Sequence, residues 1–490
     1  MTHEPRPTRG IRARIVVEAD LLLQSPAHFG GGDGDPLTDM PLLVDPRDGV
    51  RPLLPGSSVA GALRHYLRQR QYGYAGSRRN TEGPAAWHVR LFGSAKGAEE
   101  DDGAQSPLIV EDALGEGPAR TERRWGVAIA PATRTAAAQK LYDAAYWGAG
   151  TRFPLRFELA LTRSEDDAAL LGAFATALDG LRRGEVALGA RTRRGFGRVG
   201  VAEWRVRRFD LATRAGLLDW IAAGGQRPLP APYRSQDPFG ALGAQPDEAD
   251  ARRTLRLSVI CAVDGSLLVH AGDPLQDGPD RVHVHSWRGA RAEPVLPGTS
   301  LAGAWRARAR RIARTLCPAE AGKRADALVA GLFGADARPG GGHRAGKVRV
   351  AEAVVAGGVR DLVHTRVSID RFTGGAREGL LFSEQPLYGG ADGGLCIELR
   401  CADPSDAEVG LLLLVLKDLW TGDLPVGGGA GVGRGRLRGR SATLAWDGRG
   451  TWRLEADPAR ADGVRVTHGS ASDLEALVSA LLGELEVVAG

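Results

Sequence analysis

The chain has 490 residues, more than one ordinary domain holds, so two or three domains are expected. No apolar run reaches membrane-spanning length and residues 1–10 hold no signal-peptide core, so a cytoplasmic protein without membrane contact is expected. Net charge is +5, and the four cysteines show no CxxC spacing, which excludes a disulfide frame and the usual zinc patterns. Arg far outnumbers Lys and often sits beside Gly. Guanidinium forks bind phosphate bidentately. GC-rich coding also favours Arg, so position must carry the argument.

Residues 11–23 are apolar and β-branched and read as a strand. A Gly- and Asp-rich excursion after His28-Phe29-Gly30 runs to Asp39. Leu54-Pro55-Gly56-Ser57-Ser58-Val59-Ala60-Gly61-Ala62-Leu63-Arg64 follows, a turn and a helix start that Ser57 or Ser58 can cap. Arg64 and Arg68 form a basic stripe beside the apolar face of that helix. Residues 72–90 read as a flexible insertion closed by Leu91-Phe92-Gly93, and residues 95–106 as an acidic loop. Residues 108–110 are a short strand, and residues 115–150 lack clean periodicity, as a long loop or protruding hairpin would. A strand at 153–161 and a helix from 164 to about 181 come next. A Gly/Arg loop carrying Arg191, Arg193, Arg194 and Arg198 leads into a strand at 201–206, and a short helix lies near 211–221. Within it Gly195-Phe196-Gly197-Arg198-Val199-Gly200 matches G-x-G-x-x-G, but an alternating strand follows where a dinucleotide site needs a helix. A nucleotide cofactor is therefore excluded. Residues 224–252 are rich in Pro, Gly and Gln and read as a linker.

The order then repeats, displaced by about 240 residues. His270-Ala271-Gly272 echoes His28-Phe29-Gly30. Leu296-Pro297-Gly298-Thr299-Ser300-Leu301 and Arg306 echo the turn and helix, with Thr299 or Ser300 as cap. Leu332-Phe333-Gly334 echoes Leu91-Phe92-Gly93. Ser405 and Glu408 form a capping box before an apolar helix. A second Gly/Arg loop carries Arg434 and Arg436. The pattern is an α+β unit used twice: residues 1–223, a linker 224–252, residues 253–440, and a C-terminal extension 441–490.

These motifs, in order and twice, resemble the RAMP superfamily of CRISPR systems. Ile369-Asp370-Arg371-Phe372-Thr373-Gly374 followed by Gly379-Leu380-Leu381-Phe382 adds to the likeness. The chain is most similar to the backbone subunit of type III effector complexes, with two backbone domains fused. The resemblance implies two tandem ferredoxin-like or RRM-like domains with inserted loops and a thumb hairpin each. It implies guide RNA, target RNA and other effector subunits as partners. It also implies an endoribonuclease in which an Asp before each Pro-Gly turn cuts target RNA with a divalent metal, Mg2+ or Mn2+. Asp39-Met40-Pro41-Leu42-Leu43-Val44-Asp45-Pro46 matches the family pattern, which gives Asp39 that role. Asp280, with Asp277 behind it, is the second-half candidate, one residue further from Gly298 than Asp39 is from Gly56 and not followed by Pro.

RNA carries its own nucleophile, the 2′-OH, so a protein need only align it and stabilise charge at phosphorus. One carboxylate can suffice, because hard cations keep several waters. Guide contacts are expected from the helix starts (Ser57, Ser58, Arg64, Thr299, Ser300, Arg306), from both Gly/Arg loops, and from Arg371 and Phe372 at the thumb. The first half reads Ile129-Ala130-Pro131-Ala132-Thr133 where the second has Ile369 to Thr373, so the contact attributed to Arg371 is missing there. His28 and His270 read as strand-end histidines or RNA contacts. Two alternatives stand beside cutting: a guide-holding scaffold without activity, and a metal-independent guide-processing enzyme acting through histidine.

Overall fold

A computed structural model describes residues 10–30, 39–74, 85–94, 105–116, 119–130, 133, 135–162, 167–223, 225–246, 249–272, 278–318, 322–335, 345–357, 360–390, 393–460 and 463–486. Residues 75–84 of the insertion expected at 72–90, most of the acidic loop, and Asp277 lie outside them, while residues 87–90 of that expected insertion are helical.

The first domain is built on β1 (Ala13–Leu23), whose side chains alternate between faces. Ile15, Val17, Ala19 and Leu21 enter the main core, while Val16 faces the opposite side with Phe209 and Leu229. Further strands are β2 (Leu108–Val110), the hairpin β3 (Thr121–Ile129) and β4 (Ala136–Trp147), β5 (Arg152–Leu161), β6 (Val199–Asp210) and β7 (Tyr233–Ser235). The sheet order is β2-β5-β1-β6-β7, with every pairing antiparallel. Helices α1 (Gly56–Tyr72), α2 (Trp87–Phe92), α3 (Asp167–Arg182) and α5 (Pro238–Leu242) supply the other half of the core, and α4 (Arg214–Ala223) covers the back face.

The second domain repeats this plan on β8 (Thr254–Asp264). Its other strands are β9 (His285–Arg288), β10 (Arg291–Leu296), β11 (Val348–Val350), β12 (Ala353–Ala356), the hairpin β13 (His364–Ile369) and β14 (Ala376–Gln385), β15 (Gly394–Ala402), β16 (Arg436–Trp446), β17 (Gly450–Ala456) and β18 (Val464–His468). The order is β9-β10-β12-β15-β8-β16-β17-β18, with β11 also on β15. Helices α6 (Gly298–Leu316), α7 (Gly322–Phe333), α8 (Asp406–Trp420) and α9 (Ala471–Glu486) cover one face. The expected fold, two tandem ferredoxin-like α+β domains with inserted hairpins, is the one present. The capping box at Ser405 and Glu408 is complete in both directions.

Two boundaries differ from the expected ones. Residues 224–252 are not a free tether. They hold β7, which extends the first sheet at Trp204 to Val206, and α5, which Asp237 caps and which packs on α3. Residues 441–486 are not an appendage. They carry β17, β18 and α9, and Leu477, Leu481 and Leu485 are buried in the second core.

The Pro-Gly turns work otherwise than expected. The N-caps are Pro55 and Pro297, neither helix has a side-chain cap, and each helix begins at its Gly. Ser57 and Ser58 are exposed on the first turn, and Thr299 and Ser300 half-exposed. Gly is required by close approach: a Cβ on Gly56 would lie 2.2 Å from the Val110 carbonyl, and one on Gly298 2.5 Å from the Val350 carbonyl. The Gly56 N–H is satisfied by Asp112 Oδ1 at 2.7 Å.

Candidate functional site

Each hairpin leaves its sheet and returns beside the loop that carries the candidate Asp. The two hairpins share one geometry. Ile129 pairs with Ala136 and Ile369 with Ala376, each after a register shift, and Gln139 and Gly379 both take positive φ, at 55° and 71°. Phe372 is 98% exposed at the second tip, beside exposed Arg371, so it is not a core residue. Asp370 Oδ1 accepts from the Phe372 and Thr373 N–H groups at 2.9 Å and fixes that turn, and these bonds hold its carboxyl below the usual range.

Asp39 and Asp280 sit in equivalent places. The Asp39 N–H donates to Asp143 Oδ1 at 3.2 Å, and the Asp143 N–H donates back to Asp39 Oδ2 at 3.1 Å. In the second domain the Asp280 N–H donates to Ser383 Oγ at 3.1 Å, and the Ser383 N–H donates to Asp280 Oδ2 at 2.7 Å. The same reciprocal pair thus ties each exposed Asp to the returning hairpin strand, β4 or β14. Those bonds, with Arg281 nearby, hold the Asp280 carboxyl below its ordinary value.

Beneath these loops the domains differ. Under Asp39 lie Met40, Ala144, Tyr146 and Phe196, with the two rings stacked at 4.3 Å. Under Asp280, Glu384 is 4% exposed, forms ion pairs with Arg434 at 2.8 Å and Arg366 at 3.1 Å, and accepts a hydrogen bond from Arg281 at 3.3 Å. Burial raises the Glu384 carboxyl, and the three guanidinium groups more than reverse it. Arg434, expected on RNA, is therefore a buried structural cation, while Arg436 is exposed.

The histidine echo is out of register. The Ala190 N–H bonds the His28 carbonyl, and its counterpart Gly428 bonds that of Leu268. Gly30 bridges Leu42 where His270 bridges His283. Leu268 therefore occupies the place of His28, and His270 that of Gly30. His28 is 3% exposed and its Nδ1–H donates to the Ala145 carbonyl at 2.8 Å, bracing the hairpin. Exposed His270 has Nε2 3.3 Å from the Asp280 carbonyl.

The two Gly/Arg loops match closely. Positive φ recurs at Gly189 and Gly427, Arg191 and Gly429, Gly195 and Gly433, Gly197 and Gly435. Arg191 turns inward, its Nη1 3.0 Å from Tyr142 Oη and 3.3 Å from Tyr146 Oη. Arg198 pairs with Glu398 across the seam at 3.1 Å. Gly195 is packed on the second domain, where a Cβ would meet the Glu352 N at 2.5 Å. Arg193 and Arg194 line a cleft between the domains, and Arg306 lies near enough to lower the Arg194 pKa, after burial.

One cleft of about 400 Å³ brings Asp39, His28 and Ser58 together. Arg64 is half-buried further along α1, where burial, then Arg64 and Arg68, hold His88 unprotonated down to about 4. Arg371 and Phe372 stand apart at the hairpin tip. Among the described residues no three His, Cys, Asp or Glu side chains cluster as a metal cage. A divalent ion at Asp39 or Asp280 would have to take most of its ligands from water and phosphate.

Sequence reasoning missed Asp143 and Ser383, though both lie at the repeat offset of about 240 residues. It also missed the seam. Arg120 stacks on Trp287 at 3.9 Å, Glu122 accepts from the Trp287 N–H at 2.8 Å, and Arg124 and Arg288 meet Glu352 at 2.7 and 2.6 Å. Trp125 lies so close to Gly272 that a Cβ there would sit 1.7 Å from the indole. The first hairpin thus rests on the loop that leads to Asp280.

Fold, repeat and hairpins together define a tandem ferredoxin-like protein with two equivalent Asp-bearing loops. The family model of the RAMP superfamily matches residues 20–200 and 269–438, and the chain belongs to that superfamily, with a CRISPR-associated role in RNA binding. No curated protein matches the chain. No described helix is long and apolar enough to cross a membrane.

Proposed function

We propose that the chain is an RNA-guided endonuclease subunit of a type III CRISPR effector, acting in the cytoplasm with guide RNA, target RNA and further subunits. The observation that carries this reading is the reciprocal bond repeated at Asp39–Asp143 and Asp280–Ser383. It holds Oδ2 of each of these two exposed aspartates, twice, at the root of a hairpin. Guide RNA lies along the helix starts and exposed loop cations, and the hairpin tips press into the guide–target duplex. The RNA 2′-OH gives its proton to solvent as its oxygen attacks the adjacent phosphorus, the P–O5′ bond breaks, and the departing 5′-oxygen takes a proton from solvent. Products are a 2′,3′-cyclic phosphate and a 5′-hydroxyl. Asp39 and Asp280 would each hold a divalent ion beside the scissile phosphate and so position that phosphate for attack. A bound Mg2+ or Mn2+ supplies charge stabilisation at the phosphate oxygens.

A histidine mechanism repeated in both halves is disfavoured, because His28 and His270 do not occupy equivalent places. The test is end-group analysis of target RNA cut by the assembled complex, with and without EDTA. Cyclic phosphate ends that vanish with EDTA support the reading. Intact target in metal-replete buffer returns the chain to the scaffold reading, and cutting that persists in EDTA to the processing reading.

A further inference from the structure

A second cleft, of about 530 Å³, opens between the two domains, lined by His65 of α1, Arg193 and Arg194 of the first Gly/Arg loop, and Arg349 of β11. Among the described residues none of the three arginines has an ion-pair partner. Guanidinium groups stay charged at any ordinary pH, so half-burying three of them near one another without carboxylates is a standing cost. Burial lowers the pKa of all three; Arg193 adds to the effect at Arg349, and Arg306 and Arg193 at Arg194. Burial, then Arg68, Arg349 and Arg193, also lower the pKa of His65. Arg349 further stands directly across the β11–β15 ladder from Arg400, a like-charge pair that weakens a sheet. The acid in the cleft, Glu185, is already held by Arg252 at 2.6 Å, Arg183 at 3.1 Å and Tyr66 Oη at 3.1 Å.

The charge is not a common property of the repeat. Where the second domain has Arg349 the first has Ile109, exposed on the corresponding strand, and the helix position of His65 is Ala307 in the second. Cations appear where the two domains face each other.

We propose that this inter-domain cleft binds a phosphate group of an RNA strand crossing the seam, through Arg349, Arg193 and Arg194 with His65 as a hydrogen-bonding partner. The inference rests on the RNA-binding part of the function above and is independent of cutting. An anion there relieves the unpaired cations, so the site is strong for its size. It also ties the strand to both domains at once.

The test uses the full chain with Arg349→Ile, the residue type the first domain carries at this position. The probe is a uridine-only RNA titrated across salt concentrations. The variant should bind about fourfold more weakly near 0.15 M salt, with a salt slope smaller by about 0.7, the signature of one lost phosphate contact on a single strand. Without ligand it should be at least as stable as the wild type, because a desolvated cation has gone. Inorganic pyrophosphate is the second probe. If RNA affinity is unchanged but pyrophosphate raises Tm in the wild type only, the RNA assignment is overturned in favour of a small phosphorylated ligand. No change with either probe overturns the phosphate site, and a ligand-free variant less stable than the wild type marks Arg349 as structural and does the same. RNA held at this cleft by a chain that cuts nothing would sink the cutting reading and leave this one standing.

Discussion

Arg124 is the residue on which the seam between the domains most depends. It is 7% exposed and donates to Glu122 at 2.7 Å within its own strand and to Glu352 of the second domain at 2.7 Å. Replacing it by Met keeps the stem and removes the charge. Glu352 then retains Arg288, and Glu122 retains Ser286 and the Trp287 N–H. Breaking a buried pair by removing one partner costs about 3–5 kcal/mol, and the remaining donors place this case near 3. The change also has a pH signature. Burial pushes the Glu352 carboxyl up, but Arg124 and Arg288 together hold it below its ordinary 4.5. A depressed folded pKa contributes stability above the unfolded value, lost as pH falls through the folded one. In Arg124→Met that contribution shrinks or reverses, so the stability lost relative to the wild type should narrow as pH falls and Glu352 protonates. Urea unfolding followed by tryptophan fluorescence, with Trp125 and Trp287 at the seam, measures the loss. A double-mutant cycle with Glu352→Gln isolates the pair. A loss below about 1 kcal/mol, or strictly additive single variants, would refute the claim that this network joins the domains.

Other perturbations separate close approach, burial and exposure. Gly56→Ala drives a Cβ to 2.2 Å from the Val110 carbonyl and should cost about 2 kcal/mol or more, whereas Gly61→Ala, with open space around it, should stabilise α1 by about 0.5–1 kcal/mol; thermal melts decide. His283 is buried, donates from Nε2 to the Val295 carbonyl and accepts the Val269 N–H at Nδ1, and burial lowers its pKa to about 3. The unfolded chain then binds more protons between pH about 3 and 6.5, so stability should fall by about 2 kcal/mol from neutral to about pH 5, and His283→Gln should flatten that dependence. Phe372→Ala should leave Tm unchanged, as a fully exposed tip residue would, while disturbing target cutting beside the second domain. Unaltered cutting with that variant would remove Phe372 from the duplex contact.

The repeat was legible because its chemistry is backbone chemistry. Pro55-Gly56 and Pro297-Gly298 recur because a strand carbonyl leaves no room for a Cβ, and the loop glycines recur because positive φ does. Ser405 and Glu408 were legible because a capping box is closed within four residues. What escaped was decided by partners far away in sequence. Arg434 reads as a loop cation until Glu384 is placed beneath it, and Arg191 until Tyr142 and Tyr146 are. His28 and His270 match as letters, yet a two-residue shift against the hairpin and Gly/Arg loop puts Leu268 in the equivalent place. Residues 224–252 have the composition of a tether, but one short strand edge and one turn of helix suffice to bind them into the first domain.

The central claim is that two equivalent carboxylates serve two cuts. Mapping target-RNA products from the assembled complex with Asp39→Ala and with Asp280→Ala tests it most directly. Each variant should lose one cut and keep the other, with target binding nearly unchanged, because base pairing supplies that affinity and the carboxylate acts on the transition state. If both variants keep both cuts, Asp39 and Asp280 are loop anchors for the hairpins, and the cutting function does not reside in them.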